Sequence, residues 1–191
     1  MRKIFILFIA LSFIQFANAQ EDAVGGFSEG NIFVEGGIMY NSEKQGNETV
    51  SGFGIAPVVG YFFTDNVAAG LGVAYESSKV STGGNSVSAD IFGFSAFGRY
   101  YFTPASRFSI FGELNVGYAT ADAGPIKVNT LAVGLKPAVS FFLNENFLIS
   151  GKLGGLEYSS TKADVSGAEA TTNFGFELLL GKMEFGIAYK F

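Results

Sequence analysis

Residues 183–191 alternate between two kinds of side chain, and this alternation constrains the fold more than any other feature of the sequence. The odd positions hold Met183, Phe185, Ile187, Tyr189 and Phe191, whereas the even positions hold only charged or small residues. Because successive side chains of a strand point to opposite faces, the segment is predicted to be a strand with one apolar and one polar face. By itself, it also fits an edge strand of a soluble sheet.

The opposite end of the chain carries an export pattern. Arg2 and Lys3 precede an apolar run over residues 4–14, and Ala17-Asn18-Ala19 follows. A basic start, an apolar run and an A-x-A site are typical of a secretory signal peptide, and the run is too short to span a bilayer as a helix. We predict a signal peptide over residues 1–19, a flexible periplasmic leader over residues 20–30, and one domain over residues 31–191.

Composition narrows the class of the exported chain. Charged residues make up 15% of the sequence, well under the usual quarter of a soluble domain. Beyond the signal there is no apolar run long enough for a transmembrane helix, which leaves a β-barrel as the main membrane option. The 17 acidic residues outnumber the 12 basic ones, so the chain lacks the basic footprint of a nucleic-acid-binding protein.

An internal repeat indicates a series of hairpins. Residues 54–66 match residues 134–146, and a weaker copy lies at 96–103, so that Tyr61, Tyr100 and Phe141 align. A period near 40 predicts one hairpin per repeat. Short turns are predicted at 64–66, 103–107 and 144–146, and longer polar loops at 41–51, 77–86, 121–127 and 159–172. Short turns on one side and longer loops on the other are typical of outer-membrane barrels.

The number of strands depends on two changes of phase in the alternation. One occurs at Gly154-Gly155 and predicts a β-bulge in the seventh strand. The other occurs near Gly181-Lys182 and indicates either a second bulge or a tight turn that would give nine strands. Because bacterial barrels have even strand numbers, we predict an all-β fold, an eight-stranded antiparallel up-and-down transmembrane β-barrel.

Charged residues indicate which face is inside. The apolar face has no charge in the strand middles and carries tyrosines near both ends, so we predict that it faces lipid, unlike the hidden apolar face of a soluble barrel. An interior charge network is predicted on the polar face, from Glu35, Arg99, Glu113, Lys136, Lys152 and Glu184. Their charges cancel, and an eight-stranded lumen has room only for side chains, so we expect a salt-bridged plug. Alternatively, some of these side chains reach water at the barrel mouths.

The motifs at residues 57–63, 98–102 and 185–191 resemble those of the small Gram-negative outer-membrane β-barrel proteins, the group that includes outer membrane protein A and the opacity-type porin-like proteins. The resemblance implies an outer-membrane location, contact with outer-membrane lipid and lipopolysaccharide, and a monomer. It also implies that the barrel-assembly machinery recognises the C-terminal signal formed by Phe185, Ile187, Tyr189 and Phe191. No peptidoglycan-binding domain follows Phe191, so no such tether is implied.

The sequence offers little chemistry for catalysis. It contains no His and no Cys, which excludes serine–histidine triads and zinc sites built from these residues. Glycosidase work by Glu35 and Glu113 would have to occur inside a narrow barrel. We therefore predict no catalytic, cofactor-binding or metal-binding residues, and a non-enzymatic structural or surface-interaction role with an unknown loop ligand. The alternatives are a small porin-like diffusion channel, and a loop-mediated adhesin or ligand-binding protein.

Overall fold

A computed structural model describes residues 25–46, 48–83, 85–122, 124, 126–178 and 184–191. The predicted signal peptide and the start of the predicted leader lie outside these residues. None of the described residues forms a helix long and apolar enough to span a membrane.

The described residues form twelve strand segments that pair antiparallel in one sheet. Several of them are successive parts of one longer strand. In chain order they are β1 Ile32–Gly36, β2 Ile38–Gln45, β3 Glu48–Ile55, β4 Val58–Phe62, β5 Val67–Thr82, β6 Asn85–Tyr101, β7 Phe108–Asp122, β8 Lys127–Phe142, β9 Phe147–Lys152, β10 Gly154–Ala163, β11 Thr171–Leu178 and β12 Glu184–Lys190.

The segments combine into an eight-stranded up-and-down antiparallel barrel, as predicted. The pairs β1–β2, β3–β4, β9–β10 and β11–β12 are each the two parts of one barrel strand, and β5, β6, β7 and β8 are continuous. The ring closes because β12 pairs with both β1 and β9, and β9 pairs with β8. We call the end with the turns at 63–66, 102–107 and 143–146 the turn side, and the opposite end the loop side.

The predicted bulge at Gly154-Gly155 is confirmed. Along β8 the register moves three residues, from Ala138 opposite Lys152 to Leu135 opposite Leu156, while the seventh strand moves four. Gly154 takes a φ of +85°, which favours glycine because it has no Cβ. The extra residue restores the alternation, so that Leu156 and Leu135 share the outer face.

The eighth strand resolves the choice between eight and nine strands. Both β9 and β10 are antiparallel to β8, and β12 and β11 are antiparallel to β9 and β10 respectively. β11 and β12 therefore run in the same direction, so the alternative of a tight turn at Gly181 is wrong. The predicted bulge near Gly181-Lys182 lies outside the described residues.

Two of the predicted loops are wrong, because the strands continue through them. Gln45 pairs with Glu48, and Thr82 pairs with Asn85, so the pairing of β2 with β3 and of β5 with β6 runs to the end of each strand. Gly46 and Gly83 both have a φ of +59°, as the common two-residue hairpin turns require. Polar side chains do not interrupt a ladder that is built from backbone hydrogen bonds. Residues 164–170 do connect β10 and β11 as a loop.

The predicted faces are confirmed. Leu71, Leu114 and Leu135 are 64%, 56% and 50% exposed on the outer surface, while Phe33 and Phe111 are buried on the inner one. On β5, Val67 lies opposite Tyr100, one of the outward tyrosines near the turn side. Tyr75, on the same strand, is one of the outward tyrosines near the loop side. The eight residue steps from 67 to 75 span about 27 Å, or about 20 Å upright at a tilt of roughly 40°, close to the ~25 Å apolar band of an outer-membrane barrel.

Candidate functional site

The interior contains a buried arginine at its centre. Arg99 on β6 lies directly opposite Glu113 on β7, and its Nε donates a hydrogen bond of 2.7 Å to Glu113 Oε2. Across the lumen on β1, Glu35 accepts two bonds from the same guanidinium, at 2.7 Å from Nη1 and 3.2 Å from Nη2. Arg99, Glu35 and Glu113 are 2%, 6% and 1% exposed. Because β1 and β6 are not neighbours in the sheet, the Glu35–Arg99 bridge crosses the lumen.

Aromatic rings surround the guanidinium of Arg99. Its Cζ lies 5.1, 4.7 and 5.0 Å from the ring centroids of Phe33, Phe97 and Phe111. A cation within about 6 Å of an aromatic face is attracted to it, and Arg binds such faces well because it is planar and weakly hydrated. The three rings therefore surround the guanidinium of Arg99, a residue that is only 2% exposed.

The charged chain extends to a fourth residue. Lys152 on β9 donates a 2.8 Å hydrogen bond to Glu113 Oε1, so Glu113 binds a different cation with each of its oxygens. The four residues, Glu35, Arg99, Glu113 and Lys152, form a chain of alternating charge with no net charge. Each buried charge has a partner, as burial requires.

Lys136 and Glu184 form a separate pair. Lys136 Nζ donates a 2.7 Å hydrogen bond to Glu184 Oε1, but the Glu184 side chain is 58% exposed and that of Lys136 is 15% exposed. The structure therefore places the six residues in two groups, a chain of four with three buried members and the pair of Lys136 with the exposed Glu184. We call the chain of four the charge network; its fourth member, Lys152, has a side chain that is 18% exposed.

An aromatic cluster fills the lumen on the turn side of the charge network, and the sequence analysis missed it. Phe27 stacks on Phe62 with ring centroids 4.4 Å apart, and its ring also contacts Tyr101 and Phe142 at 5.0 and 4.9 Å. Tyr101 in turn stacks on Phe111 at 4.6 Å, beneath Arg99. The repeat contained the signal, because Phe62, Tyr101 and Phe142 each follow one of its aligned outward aromatics and so face inward.

The described part of the predicted leader is packed rather than flexible. Phe27 is 3% exposed, and its backbone N–H donates to Pro104 O at 2.8 Å. Gly30 N–H donates to Phe62 O, and Lys190 Nζ donates to Gly26 O. The physical reason is the apolar surface of Phe27, which enters the turn-side mouth and is removed from water there.

The residues of the predicted C-terminal signal lie on β12 or directly after it, where the ring closes. Phe185, Ile187 and Phe191 point outward and are 67%, 64% and 67% exposed. Tyr189 is half-buried between the rings of Phe147 and Phe191, each 4.8 Å away. The four side chains thus belong to the outer apolar band.

The described residues of the lumen form ion pairs and aromatic contacts. They contain no group of three or more His, Cys, Asp or Glu residues that could hold a metal ion. A cavity of about 410 Å³ lies beside the bulge in the seventh strand, between Lys136, Glu157 and Gly175 among others. The charged side chains of the charge network bind one another.

Comparisons with known proteins bear on the fold. No protein-family model matches the chain, and no curated protein matches it either. The crystal structure of the outer membrane protein OprG from Pseudomonas aeruginosa is similar, with a TM-score of 0.55 and 17% sequence identity over 88% of this chain and 99% of that one. At this identity the likeness shows the fold, which is that of an outer-membrane β-barrel. The resemblance to outer membrane protein A and the opacity-type proteins stays a prediction.

Proposed function

We propose that the protein is a non-enzymatic β-barrel of the outer membrane with a structural or surface-interaction role, and that its charge network keeps it from conducting. The exposed apolar band supports the membrane location, because a surface of this kind would aggregate in water. Tyrosines at both ends of the band suit the two membrane–water interfaces. The likeness to OprG supports the same location.

The proposal of a closed interior rests on one observation, the bridge from Glu35 to Arg99 across the lumen. Its 2.7 Å contact joins two strands that are not neighbours, and Glu113 holds the other side of the guanidinium. An ion passing through would have to separate these buried charges, which leaves at least one of them without a partner. Removing one partner of a buried pair costs roughly 3–5 kcal/mol.

The aromatic cluster adds a second barrier in series with the first. Phe33, Phe62, Tyr101 and Phe142 are fully buried, and Phe27 lies among their rings from the turn-side mouth. A rearrangement of the charge network alone therefore leaves an apolar obstruction beneath it. This arrangement supports a plug over a pore.

The channel alternative is supported by the loop-side half of the lumen. There the inward positions hold small side chains such as Ala119 and Ala132, which are only half-buried. A diffusion channel would admit solutes at this end. A diffusion channel would also need a way past Arg99 and Phe27.

Conductance in a planar bilayer tests the proposal. We expect no steady, large steps from refolded wild-type protein, and leak current from Arg99→Ala. Lys136→Gln serves as the control, because it removes an interior charge outside the charge network and is expected to stay silent. Steady, large steps from the wild type would contradict the plug and favour the channel.

The proposal extends to export and assembly. We expect the mature chain to begin at Gln20, to occur as a monomer in outer-membrane fractions, and to enter the membrane through recognition of β12 by the barrel-assembly machinery. N-terminal sequencing of membrane-extracted protein checks the first point, and a sequence beginning at Met1 would contradict it.

A further inference from the structure

A tyrosine and a lysine recur four residues apart on the strands that rise toward the loop side. The separation is even, so both side chains of each pair lie on one face of their strand. That face is the outer one, because the tyrosines belong to the outer surface. The pairs are Tyr40 and Lys44 on β2, Tyr75 and Lys79 on β5, and Tyr158 and Lys162 on β10.

The fourth rising strand, β7, carries an acidic residue at the same position, and the lysine lies on the neighbouring strand β8. On β7, Asp122 lies four residues after Tyr118. Its register partner on β8 is Lys127, whose Nζ lies 3.3 Å from Asp122 Oδ2. Each of the four rising strands thus has an outward lysine about four residues beyond its tyrosine. The lysine lies on the strand itself in three cases and on the adjoining strand in the fourth. We call Lys44, Lys79, Lys127 and Lys162 the lysine belt.

The lysine belt is available for binding. All four residues are exposed. Within the described part of the chain, Lys44, Lys79 and Lys162 have neither an ion-pair partner nor a side-chain hydrogen bond, and Lys127 has only Asp122. The cost of stripping these cations from existing partners is therefore small.

Charges of opposite sign are sorted between the two faces of the same strands. Glu43 on β2, Glu76 on β5 and Glu157 on β10 occupy inner-face positions by alternation, while the lysines occupy the outer face. The whole chain has a net charge of −5, so a positive outer face on the loop side does not follow from composition. On these three strands the lysines therefore face outward, where a surrounding leaflet would lie, whereas β6 and β7 carry Asp90 and Asp122 on the outer face.

The height of the belt matches the polar layer of a membrane. Four residues of strand span about 13 Å, or about 10 Å upright at a tilt of roughly 40°. The head-group layer is roughly 5–8 Å thick on each side of the hydrocarbon core, and lysine side chains bend toward a polar layer to reach it. If the loop-side tyrosines mark the edge of the hydrocarbon, the lysine ammonium groups lie level with the head groups.

We propose that the lysine belt binds phosphate groups of anionic, phosphorylated lipids in the leaflet that surrounds the loop side of the barrel. The proposal rests on the proposed membrane location. It assigns the phosphate contacts to four named residues, and each lysine near an anionic surface strengthens binding about five-fold, equivalent to ~1 kcal/mol.

Thermal stability in vesicles tests the lysine belt. The protein is refolded into phosphatidylcholine vesicles and into vesicles of equal parts phosphatidylcholine and lipid A, at low salt. The temperature at which the folded, faster-migrating band disappears from SDS gels is then measured. We expect lipid A to raise this temperature by about 3 °C per lysine, or roughly 10 °C in all, and added salt to reduce the difference.

The variant K44Q/K79Q/K127Q/K162Q is expected to fold in phosphatidylcholine and to lose most of the increase, whereas the matched variant with four arginines retains it. Full retention by the glutamine variant would overturn the proposal. So would an equal increase from inorganic phosphate added to phosphatidylcholine vesicles, because the site would then bind free phosphate rather than a leaflet. A wild-type chain that inserts into neither vesicle would contradict the proposed membrane location instead.

Discussion

The turn-side and loop-side halves of the lumen have the same strand alternation, yet only the turn-side half is filled. In the turn-side half, Phe33, Phe62 and Phe142 face inward and are fully buried. In the loop-side half, the inward positions hold residues such as Ala119 and Ala132, which remain half-buried. The comparison teaches that alternation decides which face is inside, whereas the size of the inward side chains decides whether that inside is closed.

The largest expected effect comes from removing the cation at the centre of the closed half. Arg99→Ala leaves the buried Glu35 without its ion-pair partner, so we expect a loss of roughly 3–5 kcal/mol in the free energy of unfolding. Urea unfolding of the vesicle-inserted barrel measures it. If this variant is as stable as the wild type, the filled interior of the turn-side half does not depend on its central cation.

A second substitution sharpens this prediction. Glu113 keeps Lys152 at 2.8 Å when Arg99 is lost, whereas Glu35 keeps no ion pair. Arg99→Ala combined with Glu35→Gln is therefore expected to recover more stability than Arg99→Ala combined with Glu113→Gln. The reverse order would show that Glu113 is the residue left without compensation.

Removing Phe27 tests the closed mouth on its own. The Phe27 ring contacts four other rings and is almost completely buried, so Phe27→Ala is expected to cost about 3 kcal/mol. The control is Phe63→Ala, because Phe63 is 57% exposed on the outside of the same end. Equal losses for the two variants in urea unfolding would mean that the leader does not contribute to closure.

The outer face is apolar along both halves, and a charge placed on it is expected to have an intermediate effect on stability. Leu135 is 50% exposed in the outer band, and Leu135→Arg is expected to cost roughly 2–4 kcal/mol by placing a charge in hydrocarbon. Folding yield into vesicles and urea unfolding measure it. A variant that folds as well as the wild type would mean that this face does not meet lipid.

The smallest effect is expected at the next residue of the same strand. Lys136 pairs with Glu184, whose side chain is 58% exposed, so water compensates for the lost pair. Lys136→Gln is expected to cost about 0–1 kcal/mol in urea unfolding, as for an exposed ion pair. A loss of stability as large as that of Arg99→Ala would mean that Lys136 and Glu184 are coupled to the charge network.

Much of the fold follows from the sequence because alternation and glycine pairs are local signals. The outer face and the bulge at Gly154-Gly155 were predicted in this way and are confirmed. The exact length of the strands was not predicted, because polar residues such as Thr82 and Asn85 pair through their backbones as readily as apolar ones do. Side-chain polarity therefore marks the end of the membrane-like band rather than the end of the strand.

The site was harder to predict because it depends on contacts across the lumen. Alternation placed Glu35, Arg99 and Lys136 on the inner face, but the relative stagger of the strands decides which charges meet. That stagger separates Lys136 and Glu184 from the charge network. The packing of Phe27 involves residues that are distant in sequence, and no local pattern at residues 20–30 indicates it.

The difference between the two halves can be measured directly on one strand. The chain contains no cysteine, so Ser140→Cys and Ala132→Cys each introduce a single thiol on the inner face of β8. Ser140 lies in the closed half and is 1% exposed, whereas Ala132 is half-buried in the open half. With a small charged thiol reagent added to the vesicle-inserted barrels, we predict rapid labelling at position 132 and none at position 140 until the protein is unfolded. Equal labelling rates at the two positions would contradict the closure of the turn-side half.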